Sequence, residues 1–164
     1  MDRLNEFEKS GFGRIGVLLG GNSRERAISL RSGKAVYQAL KDAGLDVVKI
    51  DTGNGFLSKL KRTNIDLAFL ALHGTGGEDG TIQKLLSSRG IPYVGSDSRA
   101  SALAFDKARA KQVFCRSGIP TPPFEVLNSK NWRRRVQRWD PPYVIKPVNE
   151  GSSIGVFIVE RSRD

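Results

Sequence analysis

Three places in the chain carry residues whose type and spacing suit chemistry at a ligand. The first is Gly20-Gly21-Asn22-Ser23-Arg24-Glu25-Arg26, a glycine turn directly after the apolar run Ile15-Gly16-Val17-Leu18-Leu19. At the carboxyl end of a buried parallel strand such a turn lines the crevice where open α/β sheets bind ligands. Glu25 then falls in the first turn of the following helix, where the helix dipole favours a carboxylate. It is placed to receive a substrate ammonium, or simply to stabilise the helix start. The second is His73, which ends another apolar run and precedes Gly74-Thr75-Gly76-Gly77-Glu78-Asp79-Gly80. Glycines at this density let the backbone turn tightly or approach a ligand closely. Glu78 and Asp79 read as turn or capping residues. The third is Lys146, delivered by Tyr143-Val144-Ile145 and followed by Pro147-Val148-Asn149-Glu150-Gly151-Ser152-Ser153-Ile154-Gly155. Backbone N–H groups and serine hydroxyls in such a loop can wrap phosphate oxygens while a lysine neutralises their charge. A plain hairpin is the simpler alternative, although an unpaired lysine buried on an apolar strand would be costly.

Gly11-Phe12-Gly13-Arg14-Ile15-Gly16 matches G-x-G-x-x-G but comes before its strand, whereas a dinucleotide fingerprint must follow one and open a helix. It is not read as a nucleotide site.

The elements that hold these residues alternate. Strands are expected at 15–19, 46–50 and 66–72, with a brief one at 93–95. A helix capped by Asn22 or Ser23 runs to Ala43, with Gly44 as its stop and Ile28, Ala35, Val36, Ala39 and Leu40 as its apolar stripe. A short helix carries Ile82, Leu85 and Leu86, and a longer one spans 98–117 with a break near Asp106. Strands alternating with helices imply an α/β fold with a parallel sheet and right-handed crossovers. Gly118 and Pro120 to Pro123 punctuate the chain. Beyond them a strand at 124–127, a basic helix at 129–138 and strands at 143–146 and 154–159 are expected, too few residues to fold well alone. Residues 1–13 are expected to be a disordered extension, 14–118 one domain, and 119–164 the start of another.

Composition limits the alternatives. The 164 residues are 38% hydrophobic and 27% charged, which excludes disordered and collagen-like classes. No apolar run approaches the ~18 residues of a membrane helix. The polar opening resembles neither a secretory signal nor a transit peptide. A single cysteine, Cys115, offers neither an intrachain disulfide nor a metal cluster, so a cytoplasmic location is expected and no membrane partner. The net charge of +10 owes half its value to Lys130, Arg133, Arg134, Arg135 and Arg138. These read as a solvated helix face. Nucleic-acid binding through them is the less favoured alternative, and it predicts affinity that falls steeply with salt.

Six separated blocks in order resemble the D-alanine–D-alanine ligase family of the ATP-grasp superfamily. They are the stretches around Gly20–Arg26 and Ala71–Thr81, then Pro92-Tyr93-Val94-Gly95-Ser96, Ala100-Ser101-Ala102-Leu103 with Asp106-Lys107, Gly118-Ile119-Pro120-Thr121-Pro122, and Val144-Ile145-Lys146-Pro147 with Glu150-Gly151-Ser152-Ser153-Ile154-Gly155-Val156. The resemblance implies a Rossmann-like parallel sheet with helices on both faces (a pre-ATP-grasp domain), followed by an incomplete ATP-grasp small lobe. It implies ATP-dependent joining of two D-alanines through an acyl phosphate, for peptidoglycan synthesis, and a homodimer for the complete enzyme. By the same resemblance Glu25 binds the first D-alanine's ammonium, His73 orients that substrate, and Ser152 joins Glu25 in a network closing an active-site loop. Lys107 and Lys146 contact ATP phosphates, and Glu150, Gly151, Ser152 and Ser153 form the phosphate-covering loop. Ala27 and Phe105 depart from the residues common in the family, a second Glu and a Met, without touching a proposed catalytic group. The ligands for two Mg²⁺ ions and the second-substrate contacts are expected beyond Asp164. The chain is therefore expected to be incomplete and inactive by itself. The rivals are a D-alanine–D-lactate or D-alanine–D-serine ligase, and a non-catalytic nucleotide-binding or dimerisation module.

Overall fold

The computed structural model describes residues 11–161; the expected disorder of the first residues lies largely outside them. The chain forms two compact units, 1–102 and 103–164. Compactness thus divides it well before the Gly118 to Pro123 punctuation, because the helix before that punctuation is bonded into the second unit. There the Lys107 N–H donates to the Val148 carbonyl (3.1 Å), and Lys111 Nζ donates to Thr121 Oγ1 (2.6 Å).

In the first unit the strands β1 (Ile15–Leu19), β2 (Val47–Asp51), β3 (Leu67–Leu70) and β4 (Tyr93–Val94) pair in the order β2-β1-β3-β4. Every pairing is parallel, with Ile15 opposite both Val47 and Leu67. Each crossover carries a helix: α1 (Arg26–Asp42), α2 (Phe56–Thr63) and α3 (Thr81–Ser87). All five residues of β1 are buried, as a central strand covered on both faces requires. Leu18, Ile50, Ala68 and Leu72 pack on one side with Leu60 of α2 and Ile82 and Leu86 of α3. Val17, Leu19 and Ala71 pack on the other with Val36, Tyr37 and Leu40 of α1. This is an α/β parallel sheet with helices on both faces, as expected.

Three local expectations need correction. Helix α2 lies where no element was expected. Helix α1 starts at Arg26, with Glu25 in the N-cap position, and its inner face runs through the buried Ser29 and Gly33 rather than Ile28, Ala35 and Ala39. Ile28 is 39% exposed. Gly33 sits so close to β1 that a Cβ there would collide with the Leu19 side chain. Gly33→Ala is accordingly expected to destabilise the unit by about 1–3 kcal/mol through overpacking, measurable by denaturant unfolding. An unchanged midpoint would show that α1 can lift from the sheet.

The chain passes through α4 (Ser98–Phe105) to α5 (Lys107–Arg116), broken as expected at Asp106, whose Oδ1 caps α5 by accepting from the Arg109 N–H (2.9 Å). In the second unit α6 (Trp132–Val136) is shorter than the expected 129–138, and β5 (Tyr143–Ile145) pairs antiparallel with β6 (Phe157–Val159). Residues 124–127 form no strand, and Ile154 lies in a turn before β6. Phe157 and Ile158 are each 66% exposed.

Candidate functional site

The sheet order places β1 at the point where successive connections leave in opposite directions, to β2 on one side and β3 on the other. Crevices of open α/β sheets form outside the carboxyl ends at such a switch point. The turn carrying Glu25 follows β1, and His73 follows β3, so both residues come to the same end of one unit.

Ser23 ties the two turns together. It does not cap α1 with its side chain as expected. Its Oγ donates to the His73 carbonyl (2.7 Å) and accepts from the Glu25 N–H (3.2 Å). Glu25 is 6% exposed, and its Oε2 lies against Gly74, where a Cβ would come within 2.6 Å of it. Gly74 also has φ +70, so this close approach requires glycine twice over. His73 Nε2 lies 3.2 Å from Ser32 Oγ on α1, and Nδ1 lies 4.0 Å from Glu78 Oε1. Glu78 and Asp79 take the structural roles expected: Glu78 Oε2 accepts from the Gly74 N–H (2.8 Å), and Asp79 accepts from the Gly76 (2.9 Å) and Thr81 (3.0 Å) N–H groups. Burial pushes the Asp79 carboxyl up, but those backbone donors outweigh it and hold the group below its usual range.

Sequence reasoning missed the scaffold beneath this turn. Arg26 pairs in parallel with Asp51 at the end of β2, Nη1 to Oδ1 at 2.9 Å and Nη2 to Oδ2 at 2.6 Å, and Nη1 also donates to the Gly21 carbonyl (2.8 Å). Asp51 accepts further from the N–H groups of Gly21 (3.3 Å) and Gly53 (2.9 Å). The Arg26 hydrogen bond, opposed by partial burial and helped by those backbone donors, holds the Asp51 carboxyl far below the usual carboxylate range. Ser29, fully buried, accepts from the Gly20 N–H (2.9 Å) and donates to the Ala71 carbonyl (2.7 Å), joining the ends of β1 and β3. The only advance signal was a carboxylate ending an apolar strand. Because the folded-state pKa is depressed, the pair's contribution is present above the unfolded value of ~3.9 and is lost as pH falls below it. Asp51→Asn is expected to cost at most about 1 kcal/mol near neutrality, given the pair's solvent screening. That difference should shrink as pH falls below about 4. Denaturant unfolding of both proteins across pH checks it, and a constant difference would contradict it.

In the second unit, Lys107, Phe124, Trp139 and Tyr143 line a cleft of about 600 Å³ together with residues 144–148, Lys146 among them. Trp139 meets Tyr143 edge-to-face at 6.5 Å, and Lys111 Nζ lies 5.2 Å above the Phe124 ring. Lys146 follows β5 and is exposed, so the expected penalty for a buried unpaired lysine does not arise. It makes no hydrogen bond or ion pair among the described residues. Lys107 differs: its Nζ donates to the carbonyls of Glu150 and of Val148 (3.4 Å). Glu150 thus enters through its backbone. Gly151 closes the next turn by accepting from the Ile154 N–H (2.9 Å). Ser152 and Ser153 are exposed there with φ +48 and +60, left-handed conformations unusual for residues other than glycine. Lys111, Phe124, Trp139 and Tyr143 were not anticipated; the signal for Lys111 was its spacing of one helical turn from Lys107. An apolar slot edged by lysines can take a planar apolar group joined to an anionic tail. Among the described residues no group of three or more His, Cys, Asp or Glu side chains could hold a metal ion.

Residues 53–96 match the family model described as the D-ala D-ala ligase N-terminus, and residues 113–164 match that of the D-ala D-ala ligase C-terminus. The chain belongs to the D-alanine–D-alanine ligase family. A D-alanine–D-alanine ligase of Ectopseudomonas mendocina is 49% identical over 161 residues, 98% of this chain and 51% of that protein. The crystal structure of the D-alanine–D-alanine ligase from Bacillus anthracis superposes with TM-score 0.76 at 37% identity, over 92% of this chain and 50% of that one. The same enzyme complexed with ATP gives 0.71 at 35%, over 92% and 51%. The VanG D-Ala:D-Ser ligase of Enterococcus faecalis gives 0.74 at 28%, over 92% and 56%. The chain spans about half the length of the family members it matches.

Proposed function

We propose that these residues form the part of an ATP-dependent D-alanine–D-alanine ligase that binds the first amino acid and the nucleotide. The observation that carries the proposal is the meeting of Glu25 and His73 at the switch point of the sheet, above a turn held by Ser23, Ser29 and the Arg26–Asp51 pair. Glu25 accepts the ammonium of the first D-alanine, and His73 orients it. The lysine-edged cleft of the second unit takes ATP. Its aromatic walls suit the base, and Lys146 with Lys107 and the loop of Glu150, Gly151, Ser152 and Ser153 neutralises and encloses the phosphates. ATP supplies the γ-phosphoryl group that converts the carboxylate of the first D-alanine into an acyl phosphate. The amine of a second D-alanine attacks that carbonyl, expelling phosphate and leaving D-alanyl-D-alanine for peptidoglycan. Mg²⁺ is assigned no ligand among the described residues. Ser152 helps to hold that loop during the reaction.

A cytoplasmic setting and a homodimer accompany this reading, with residues 14–118 as the amino-terminal domain and 119–164 as the opening of the ATP-grasp small lobe. A D-serine-using second step is the other reading favoured by a specific observation, the likeness to a D-Ala:D-Ser ligase.

The test is a coupled ADP-release assay on the protein at the length of its relatives, with hydroxylamine present to trap acyl phosphate. ADP release that requires D-alanine, together with D-alanine hydroxamate, is expected. Release that is indifferent to D-alanine would refute the proposal.

A further inference from the structure

We propose that Ser32 is a positioning residue for His73, holding the imidazole in the tautomer that carries its proton on Nδ1. The inference rests on the reading of His73 as the group that orients the first D-alanine. Ser32 lies on α1 one turn beyond Ser29, and the tight packing of its neighbour Gly33 against Leu19 brings this part of the helix close to the sheet. The Ser32 Oγ lies 3.2 Å from His73 Nε2 and has no other partner among the described residues. A helical serine often turns its hydroxyl back onto the carbonyl four residues earlier. Ser32 points its hydroxyl at the ring instead.

A hydroxyl can donate to Nε2 or accept from it, and the other side of the ring decides between the two. Glu78 Oε1 lies 4.0 Å from Nδ1, and Glu78 Oε2 accepts from the Gly74 N–H (2.8 Å), which anchors the carboxylate beside the ring. An ionised carboxylate only accepts hydrogen bonds. It repels a bare nitrogen lone pair and attracts an N–H. Nδ1 therefore carries the proton, Nε2 is the acceptor, and the Ser32 hydroxyl donates. In a neutral imidazole the hydrogen bond made at one nitrogen sets the role of the other. At 4.0 Å Glu78 biases the ring without taking a hydrogen bond from it, so Nδ1–H remains an unspent donor. The His73 carbonyl accepts from Ser23 Oγ (2.7 Å), so serine hydroxyls hold both the main chain and the ring of this residue. The outcome is a donor of fixed direction for an anionic oxygen of the amino acid whose ammonium Glu25 receives. Without Ser32 the ring is held from one side only, by a carboxylate that is itself 47% exposed, and the second tautomer becomes accessible.

Histidine-ring ¹⁵N NMR of the protein at the length of its relatives reads the tautomer, at a pH well above the ordinary imidazole range. The His73 signals are those missing from His73→Gln. A proton-bearing Nδ1 and a bare Nε2 are expected in the wild type. Ser32→Ala should give a mixture of tautomers, and Ser32→Thr, which keeps the hydroxyl, should restore the wild-type pattern. In steady-state kinetics Ser32→Ala should raise KM for the first D-alanine roughly fivefold, the scale of one neutral hydrogen bond, while KM for ATP is unchanged and Ser32→Thr recovers the loss. A merely structural serine would affect both substrates alike and leave the tautomer as it was. A proton on Nε2 in the wild type would overturn the proposal. So would a Ser32→Ala protein with the wild-type tautomer or the wild-type KM for D-alanine, or a Ser32→Thr protein that behaves as Ser32→Ala does. If His73→Gln impairs D-alanine use and Ser32→Ala does not, the proposal alone fails. Unchanged D-alanine kinetics in His73→Gln would refute the reading of His73 itself, and the proposal with it.

Discussion

Lys146→Ala, made in the protein at the length of its relatives, is expected to lower kcat/KM for ATP by ~10²–10³-fold, the scale for losing one preorganised donor to a transferring phosphoryl group. Its thermal midpoint should be unchanged. Lys146 is exposed and has no hydrogen bond or ion pair among the described residues, so its removal strips nothing from the resting fold. Lys107→Ala provides the contrast. That side chain holds the carbonyls of Val148 and Glu150, so its loss should lower stability and ATP use together. Steady-state kinetics and thermal melts on both variants separate the two lysines. A Lys146→Ala enzyme with wild-type kinetics would remove that residue from nucleotide binding.

Glu25→Gln is the second large effect. The replacement keeps the shape of a side chain that is 6% exposed and lies against Gly74, but it removes the charge that would meet the substrate ammonium. Breaking a desolvated ion pair from one side costs about 3–5 kcal/mol, so kcat/KM for the first D-alanine should fall ~10²–10⁴-fold. KM for ATP should stay within about twofold, the scale of a neutral substitution that makes no contact with the nucleotide. A parallel fall in both substrates would mean that Glu25 supports the whole fold. Unchanged kinetics would take it out of the site.

What could be read from sequence depended on whether a feature is local. Ile15-Gly16-Val17-Leu18-Leu19 announced a strand buried on both faces, and the glycine turns after β1 and β3 marked the ligand end of the sheet. That Glu25 and His73 share this end of the sheet was legible for that reason. The Arg26–Asp51 pair was not, because it depends on β2 lying beside β1 in a register that brings Leu19 opposite Asp51. Helix α2 was hidden because it is only eight residues long, meets the core through Phe56 and Leu60, and follows Gly53 and Gly55, which read as a loop. The inner face of α1 was misjudged because close packing selected Gly33 and polar bridging selected Ser29, both overlooked by a search for large apolar residues. Residues 124–127 alternate as a strand should, yet they line the cleft and contribute Phe124 to it. The aromatic lining was illegible because Phe124, Trp139 and Tyr143 meet only through the tertiary fold.

The proposed roles divide the labour: Glu25 and His73 would serve the amino acid, and Lys146 and its loop the nucleotide. Equilibrium titration of ATP and of D-alanine, each into wild type, Glu25→Gln and Lys146→Ala at full length, tests this division most directly. Glu25→Gln is expected to bind ATP normally and lose D-alanine, and Lys146→Ala to do the reverse. Loss of both ligands in either variant, or the opposite pairing of losses, would contradict it.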